Sequence, residues 1–179
     1  MLPRLVARRW FWAVAVGLLF GAPLFRALTA PRVPALPPVL GSFPEFAFST
    51  DRDEPLTAPR LHGHVFIANE LSPADAGVRL STMSALQHRT RNLGDAVWLV
   101  SFANGFDPAA LRELRRAHRA GQRWLLVAGV PSAQPDVFAG PEMLLLVDGR
   151  SRIRGRYQAQ RAEEVDRLLR DAARVVAFQ

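Results

Sequence analysis

Four short apolar runs set the limits on what this chain can become. They are Val65-Phe-Ile-Ala68, Ala96-Val-Trp-Leu-Val-Ser-Phe102, Trp124-Leu-Leu-Val-Ala128 and Met143-Leu-Leu-Leu-Val147. None alternates apolar with polar residues, so each reads as a strand buried on both faces. Helical patterns separate the first three. Val78, Leu80, Met83 and Leu86 predict a helix from about Val78 to Leu93, with Asn92-Leu-Gly94 as its stop. Asp107-Pro108 is a clean helix start, because Asp accepts orphan N–H bonds at the N-cap and Pro lacks only a donor that the first turn does not use. Leu111 and Leu114 face inward there, Arg112, Glu113, Arg115, Arg116 and Arg119 face water, and Gly121 ends the helix.

Earlier, Glu45–Phe48 predicts a short strand, Asp51–Pro55 a turn, and Leu56–Gly63 the way back. Gly129–Pro141 is loop. Asp148-Gly149 predicts a hairpin turn. Arg152–Tyr157 then returns as an edge strand whose Arg152, Arg154 and Arg156 discourage sheet-to-sheet aggregation. Arg161–Val176 closes the chain as a helix with Val165, Leu168, Leu169, Ala172 and Val176 on one face. The order β-β-α-β-α-β-loop-β-β-α predicts an α/β domain over 45–179, a central mixed sheet flanked by helices.

In such folds ligands sit beyond the carboxyl ends of the strands. That directs attention to His64–Gly77, a buried strand running into a turn. The turn holds Ser72, Pro73, Ala74, Asp75, Ala76 and Gly77, a poor set for redox or metal chemistry. Cysteine is absent from all 179 residues, which excludes disulfides, thiolate nucleophiles and Cys-ligated metals. All 23 basic residues are Arg, scattered as a compositional bias would scatter them, and no clustered patch indicates nucleic acid.

Part of the net charge of +7 belongs to the N-terminus. Arg4, Arg8 and Arg9 precede the uncharged run Trp10–Phe25, which Arg26 ends. Its 16 residues are short of the roughly 20 that span a bilayer, but Ala27 and Leu28 extend it while Arg26 snorkels. No acid occurs before Glu45, so the basic end is expected in the cytoplasm and the domain outside. Residues 1–30 are thus expected to be a cytoplasmic N-terminus and transmembrane anchor. A cleaved signal peptide is the competing reading, with Leu28 and Pro31 unfavourable around the Ala30 site. Residues 31–44 hold five Pro and are expected to form an extended spacer.

Set in this order, several segments resemble one family. Leu40-Gly-Ser-Phe-Pro-Glu-Phe46 is similar to a G-x-x-P-x-F opening, and Gly63–Asn69 to a G-x-v-w-v-a-N-F strand. Met83-Ser-Ala-Leu-Gln87 is similar to M-x-x-L-Q, and Val97–Phe102 to v-x-l-v-S-f. Leu146–Tyr157 is similar to f-v-L-v-D-x-x-G-x-i-r-g-x-Y. With the basic anchor and Pro-rich spacer, the chain resembles the membrane-anchored Sco/SenC/PrrC proteins. The resemblance implies a thioredoxin-like fold and a link to cytochrome c oxidase assembly. It also implies a copper or thiol site made of a Cys-x-x-x-Cys loop and a distant His. Here Ser72 and Ala76 stand at the two Cys positions, the loop is shorter, and the distant His falls near Gly140. The expectation is therefore a degenerate, non-catalytic accessory protein without cofactor or metal. Its partner would be a respiratory oxidase subunit or an assembly factor, met at the outer face of the cytoplasmic membrane. Pro141 stands where ordinary thioredoxins carry a cis-proline and is a candidate for a cis bond packed near Ser72–Ala76.

Bland readings compete with sharper ones at each remaining residue. His62 and His64 fall on one side of a strand and are the only candidate metal pair, yet they lack a third ligand. His88 and His118 read as solvated helix positions. Ser72 lacks a nucleophile elbow and reads as a helix N-cap, with Asp75 in the first turn. Trp98 and Trp124 read as sheet-covering residues. The alternative function is a re-purposed enzyme or weak metal site using His62, His64 or Asp75 in the former active cleft.

Overall fold

The computed structural model describes residues 35–131, 137–140 and 142–178, together with Trp12, Val16, Leu19, Gly21 and Phe25. The chain divides into two units, Met1–Ala35 and Leu36–Gln179. In the first unit Trp12, Val16, Leu19, Gly21 and Phe25 are helical and Ala35 is not. No helix among the described residues is long and apolar enough to cross a membrane. The rest of the expected anchor, and Pro141 with its expected cis bond, lie outside the described residues.

The second unit is built on one sheet of eight strands. In chain order they are β1 Gly41–Ser42, β2 Ala47–Thr50, β3 Pro55–Thr57, β4 Val65–Leu71, β5 Val97–Ala103, β6 Trp124–Ala128, β7 Met143–Val147 and β8 Arg152–Gln158. Helices α1 Ala76–Arg89, α2 Pro108–His118 and α3 Ala162–Ala177 join or follow them. The spatial order is β1-β8-β7-β4-β5-β6-β2-β3. Strands β4, β5 and β6 are parallel, and the other pairings are antiparallel.

The four apolar runs are the four central strands, and both faces are covered, for different reasons. Val65, Ile67 and Leu71 of β4 point to the face packed by Leu80 and Met83 of α1, Leu111 of α2 and Leu168 and Ala172 of α3. Phe66, Ala68, Val100 and Phe102 point to the opposite face. There the cover is Phe43, Phe46, Val137 and Phe138, with Ala58 and Leu61 from a 3-10 helix over Ala58–Leu61. Phe43 meets Phe46, Phe66 and Phe138 edge-on at 5.3–6.3 Å, the arrangement aromatic rings favour. Helices flank the sheet as expected, and among the described residues aromatic side chains cover much of the opposite face.

The unit begins earlier than expected. Phe43 is buried, and Gly41–Ser42 pair with β8, so the end of the proposed 31–44 spacer belongs to the domain. For the same reason β8 is not a bare edge. Its Arg152 and Arg154 are not deterrent charges either, because both side chains close on the buried carboxylate of Asp148. Two more solvent-side assignments reverse. Asp51 is buried, and Arg115 forms an ion pair with it while donating to the carbonyls of Ala120, Gly121 and Trp124. This clamp ties α2 to the start of β6 and the end of β2.

The helix ends follow local chemistry. Asp107 accepts from Ala110 N at 2.7 Å, as the Asp-Pro start requires. At the other end α2 stops on Arg119, held at φ 50°, two residues before Gly121. Helix α1 stops at Thr90, whose hydroxyl donates to Leu86 O, and a 3-10 turn over Arg91–Ala96 passes through Gly94 at φ 57°.

Candidate functional site

Strand β4 ends at Leu71, and the chain turns through Ser72–Asp75 into α1. The turn closes when Asp75 N donates to Ser72 O at 3.2 Å. Ser72 does not cap the helix. Asp75 occupies the N-cap position, and Ser72 donates to it, from Oγ at 2.8 Å and from N at 3.2 Å, both to Oδ1. Arg79 completes the closure one turn on. Its Nη2 lies 2.7 Å from Asp75 Oδ2, and its Nη1 donates to Glu70 O at 2.8 Å. Burial pushes the Asp75 carboxyl up, but the Ser72 hydroxyl and N–H, and then the Arg79 guanidinium, outweigh it and hold it below its ordinary value.

Ala76, at the other position expected to match a family cysteine, packs its methyl group into the core beneath the helices. The Ser72 hydroxyl is already committed as a donor to a carboxylate. Neither side chain offers a soft ligand, and copper sites are built from thiolate, thioether or imidazole. The residues present therefore do not fit copper. Among the described residues, no group of three or more His, Asp or Glu side chains is placed to hold a metal ion.

Beneath the turn lies a buried polar row that the apolar pattern conceals. Asn69, Ser101 and Trp124 stand on neighbouring parallel strands. Ser101 Oγ donates to Asn69 Oδ1 at 2.6 Å, and Trp124 Nε1 donates to Ser101 Oγ at 3.0 Å. Asn69 also lines a cavity of about 10 Å³ with Arg79, Thr82, Glu142, Met143, Leu144 and Ala159. That volume suits a single water. Arg79 Nε is buried there without a protein partner. Glu142, held at φ 54° just before β7, was not foreseen. Its signal in the sequence was its place directly after Pro141, on the loop expected to face Ser72–Ala76.

The opening between β5 and α2 lies against the same turn. Asn104 N donates to Leu71 O at 2.9 Å. Gly105 takes φ 76°, and a Cβ there would sit 3.6 Å from Pro73 Cγ. Val78 stands 59 % exposed on the first turn of α1.

The histidines are elsewhere. His62 is exposed at the end of a 3-10 turn, and β4 begins only at Val65, so His62 and His64 do not share a strand face. The His64 ring instead lies 4.8 Å from the Trp98 ring, at the start of β4. Seven strand residues separate that end from Ser72, roughly 23 Å at the usual rise per residue. His62 and His64 therefore cannot act with Asp75, and the alternative reading of a shared cleft loses its geometry. His88 and His118 lie in the last turns of α1 and α2. Trp124 is a core residue, and Trp98, at the start of the central strand β5, packs against the Phe-rich face while donating to Asp95 O at 3.2 Å.

No family model matches the chain. No curated protein sequence matches it either. Solved structures do. A SCO1/SenC family lipoprotein from Bacillus anthracis str. Ames superposes with a TM-score of 0.66 at 18 % identity, over 79 % of this chain and 99 % of that one. BsSco, a member of the Sco family of cytochrome c oxidase assembly proteins, gives 0.66 at 15 % identity over 81 % and 100 %. The thioredoxin domain of a thiol-disulfide oxidoreductase from Bacteroides vulgatus gives 0.57 at 11 % identity over 74 % and 96 %. At these identities the likeness establishes the fold: this chain has the thioredoxin-like fold of the Sco/SenC proteins.

Proposed function

We propose that this chain is a degenerate Sco/SenC-type protein, anchored in the cytoplasmic membrane by residues 1–30 with its domain on the outer face. It serves cytochrome c oxidase assembly as a non-catalytic accessory, by binding an oxidase subunit or an active assembly factor. The fold shared with BsSco and the order of family-like segments support the assignment.

One observation carries the loss of chemistry. At the position expected for the thiolate loop, Ser72, Asp75, the two Arg79 Nη groups and the Glu70 carbonyl bond to one another, and only Arg79 Nε is without a partner among the described residues. The neighbouring cavity suits one water and no substrate. What remains at the surface is a rigid turn flanked by Pro73, Ala74 and Val78, a surface suited to contact.

The test is titration of the purified full chain, in neutral detergent, with Cu(I) and Cu(II). No stoichiometric complex tighter than micromolar is expected. Submicromolar stoichiometric binding of either ion would overturn the assignment of Ser72 and Ala76 as inert. For the partner, the chain carrying an affinity tag is expected to co-purify with oxidase subunits from solubilised membranes, and their absence would remove the assembly role.

A further inference from the structure

The turn at the carboxyl end of β4 is held by its own side chains, whereas the opposite end of the sheet carries cations that are not. Two adjoining concavities there, of about 270 and 490 Å³, share Gln87, Arg91 and Arg119. The first runs over Arg123 and the starts of β5 and β6. The second runs between α1 and α2 past Ser81, Ser84, His88 and His118. No carboxylate lines either one. The nearest acid in contact is Asp95, 3.7 Å from Arg123 Nε and itself fully exposed. Among the described residues, the Arg91 and Arg119 side chains make no ion pair and no hydrogen bond.

The cleft is built rather than incidental. Gln87 bridges α1 to the segment after α2, accepting from Gly121 N at 2.6 Å and donating to Arg119 O at 3.3 Å. Arg119 holds a left-handed conformation, φ 50°, where glycine would be the unstrained residue. Another concavity, between β7, β8 and the end of α3, also carries Arg150, Arg152 and Arg154. There Asp148 already takes the Nε donors of Arg152 and Arg154. Arg152 and Arg154 are thus held in place there, whereas no side-chain partner holds Arg91 or Arg119 among the described residues.

We infer that the α1–α2 cleft is a docking groove for an acidic peptide segment of a partner protein. Its length argues for a chain rather than a small anion. Ser81, Ser84 and His88 follow one face of α1 over roughly 10 Å. Arg123 extends the row to the start of β6, further than one phosphate reaches. Its rim argues against a lipid surface. Membrane-docking surfaces carry apolar or aromatic side chains that insert among the headgroups. Here the rim is Ser, Gln, His and Arg, while Val97, Leu99 and Trp124 are buried. Arg guanidinium groups match carboxylates in paired hydrogen bonds.

The test uses the full chain in neutral detergent at low ionic strength, with octaglutamate as the probe and binding read by interferometry. Inorganic pyrophosphate and vesicles rich in phosphatidylglycerol serve as competing ligands. Octaglutamate is expected to bind, and R91Q/R119Q to weaken it about tenfold or more while R150Q leaves it unchanged. Wild-type affinity in R91Q/R119Q, equal loss in R150Q, or no binding at all would overturn the groove. So would pyrophosphate binding as tightly as octaglutamate, or vesicle binding without peptide binding. Unchanged far-ultraviolet circular dichroism of both variants keeps a loss attributable to the groove.

Discussion

Asp148→Asn asks whether the β7–β8 turn is held by charge or by turn geometry alone. In the folded protein, Asp148 Oδ1 accepts from Arg150 N and Arg152 N, each at 3.0 Å. Oδ2 accepts from Arg152 Nε at 2.9 Å and Arg154 Nε at 2.8 Å. An asparagine keeps the first pair and presents its NH2 group, a donor, to two guanidinium donors. The Arg152 side chain is 35 % exposed and rehydrates. That of Arg154 is only 10 % exposed and is left as a buried cation without its anion. The loss therefore sits at the lower end of what stranding one partner of a buried pair costs, about 3 kcal/mol. For a chain of this size it lowers Tm by about 6–12 °C. Urea and thermal unfolding of the full chain by circular dichroism measure it. Adding Arg154→Met removes the stranded cation, so D148N/R154M should be destabilised by at least about 1 kcal/mol less than the sum of the single variants. A D148N loss below about 1 kcal/mol, or additivity within about 0.5 kcal/mol, would refute the reasoning and leave the turn's backbone bonds as the support. The pH dependence adds a sign. Burial pushes the Asp148 carboxyl up, yet the Arg152 N–H, the Arg154 guanidinium and the remaining donors hold it below its ordinary 3.8. A depressed pKa contributes stability that is fully present above the unfolded value and lost as pH falls through the folded one. The advantage of wild type over D148N should thus be constant near neutrality and shrink below about pH 4.

Two further predictions follow the same logic at other carboxylates. Arg115→Met strands Asp51, which has no second cation, and should cost about 3–5 kcal/mol, more than Arg152→Met costs at the doubly paired Asp148. Equal unfolding midpoints for the two variants would remove that ranking. Asp75→Asn should cost under about 1 kcal/mol at neutral pH, because the Asp75 side chain is 32 % exposed and its pair with Arg79 is partly screened. That difference too should fade as pH drops below the ordinary carboxylate value, since the folded pKa is depressed, and a gap that widens in acid would contradict the geometry.

The strands were legible because burial on both faces writes itself into continuous apolar runs, and Asp107-Pro108 marked α2 through a purely local bond. What stayed hidden was long-range pairing of charge. Asp51, Arg115, Asp148, Arg152 and Arg154 look like turn and surface residues one at a time. Only the fold brings Asp51 and Arg115 together across 64 positions. Arg119 hid for a related reason. Gly121 offered the expected helix stop, but the Arg115 and Gln87 bonds fix the chain after α2 and place the left-handed residue two positions earlier. The site shows the same split. Absence of cysteine was plain in the sequence, whereas the direction of the Ser72–Asp75 bond was not. An N-cap serine and a serine donating to an N-cap aspartate share one local pattern, and only Arg79, reaching back to Asp75 and Glu70, distinguishes them.

That distinction bears on what the scaffold can still do. A serine capping a helix keeps its hydroxyl proton free for a base. A serine donating that proton to a carboxylate, itself paired with a guanidinium, does not. To make Ser72 reactive, Asp75 would have to act as its base, yet Arg79 and the Ser72 donors favour a carboxylate that is a weaker base than usual. The interactions that order the turn are therefore the ones that disarm it. A turn without these bonds would be free to take several shapes. The Ser72–Asp75–Arg79 set instead keeps the turn in one shape, which matters to a binding partner and is of no use to a copper ion. The set lies under a surface of Pro73, Ala74 and Val78, so a partner meeting that surface would meet one fixed shape.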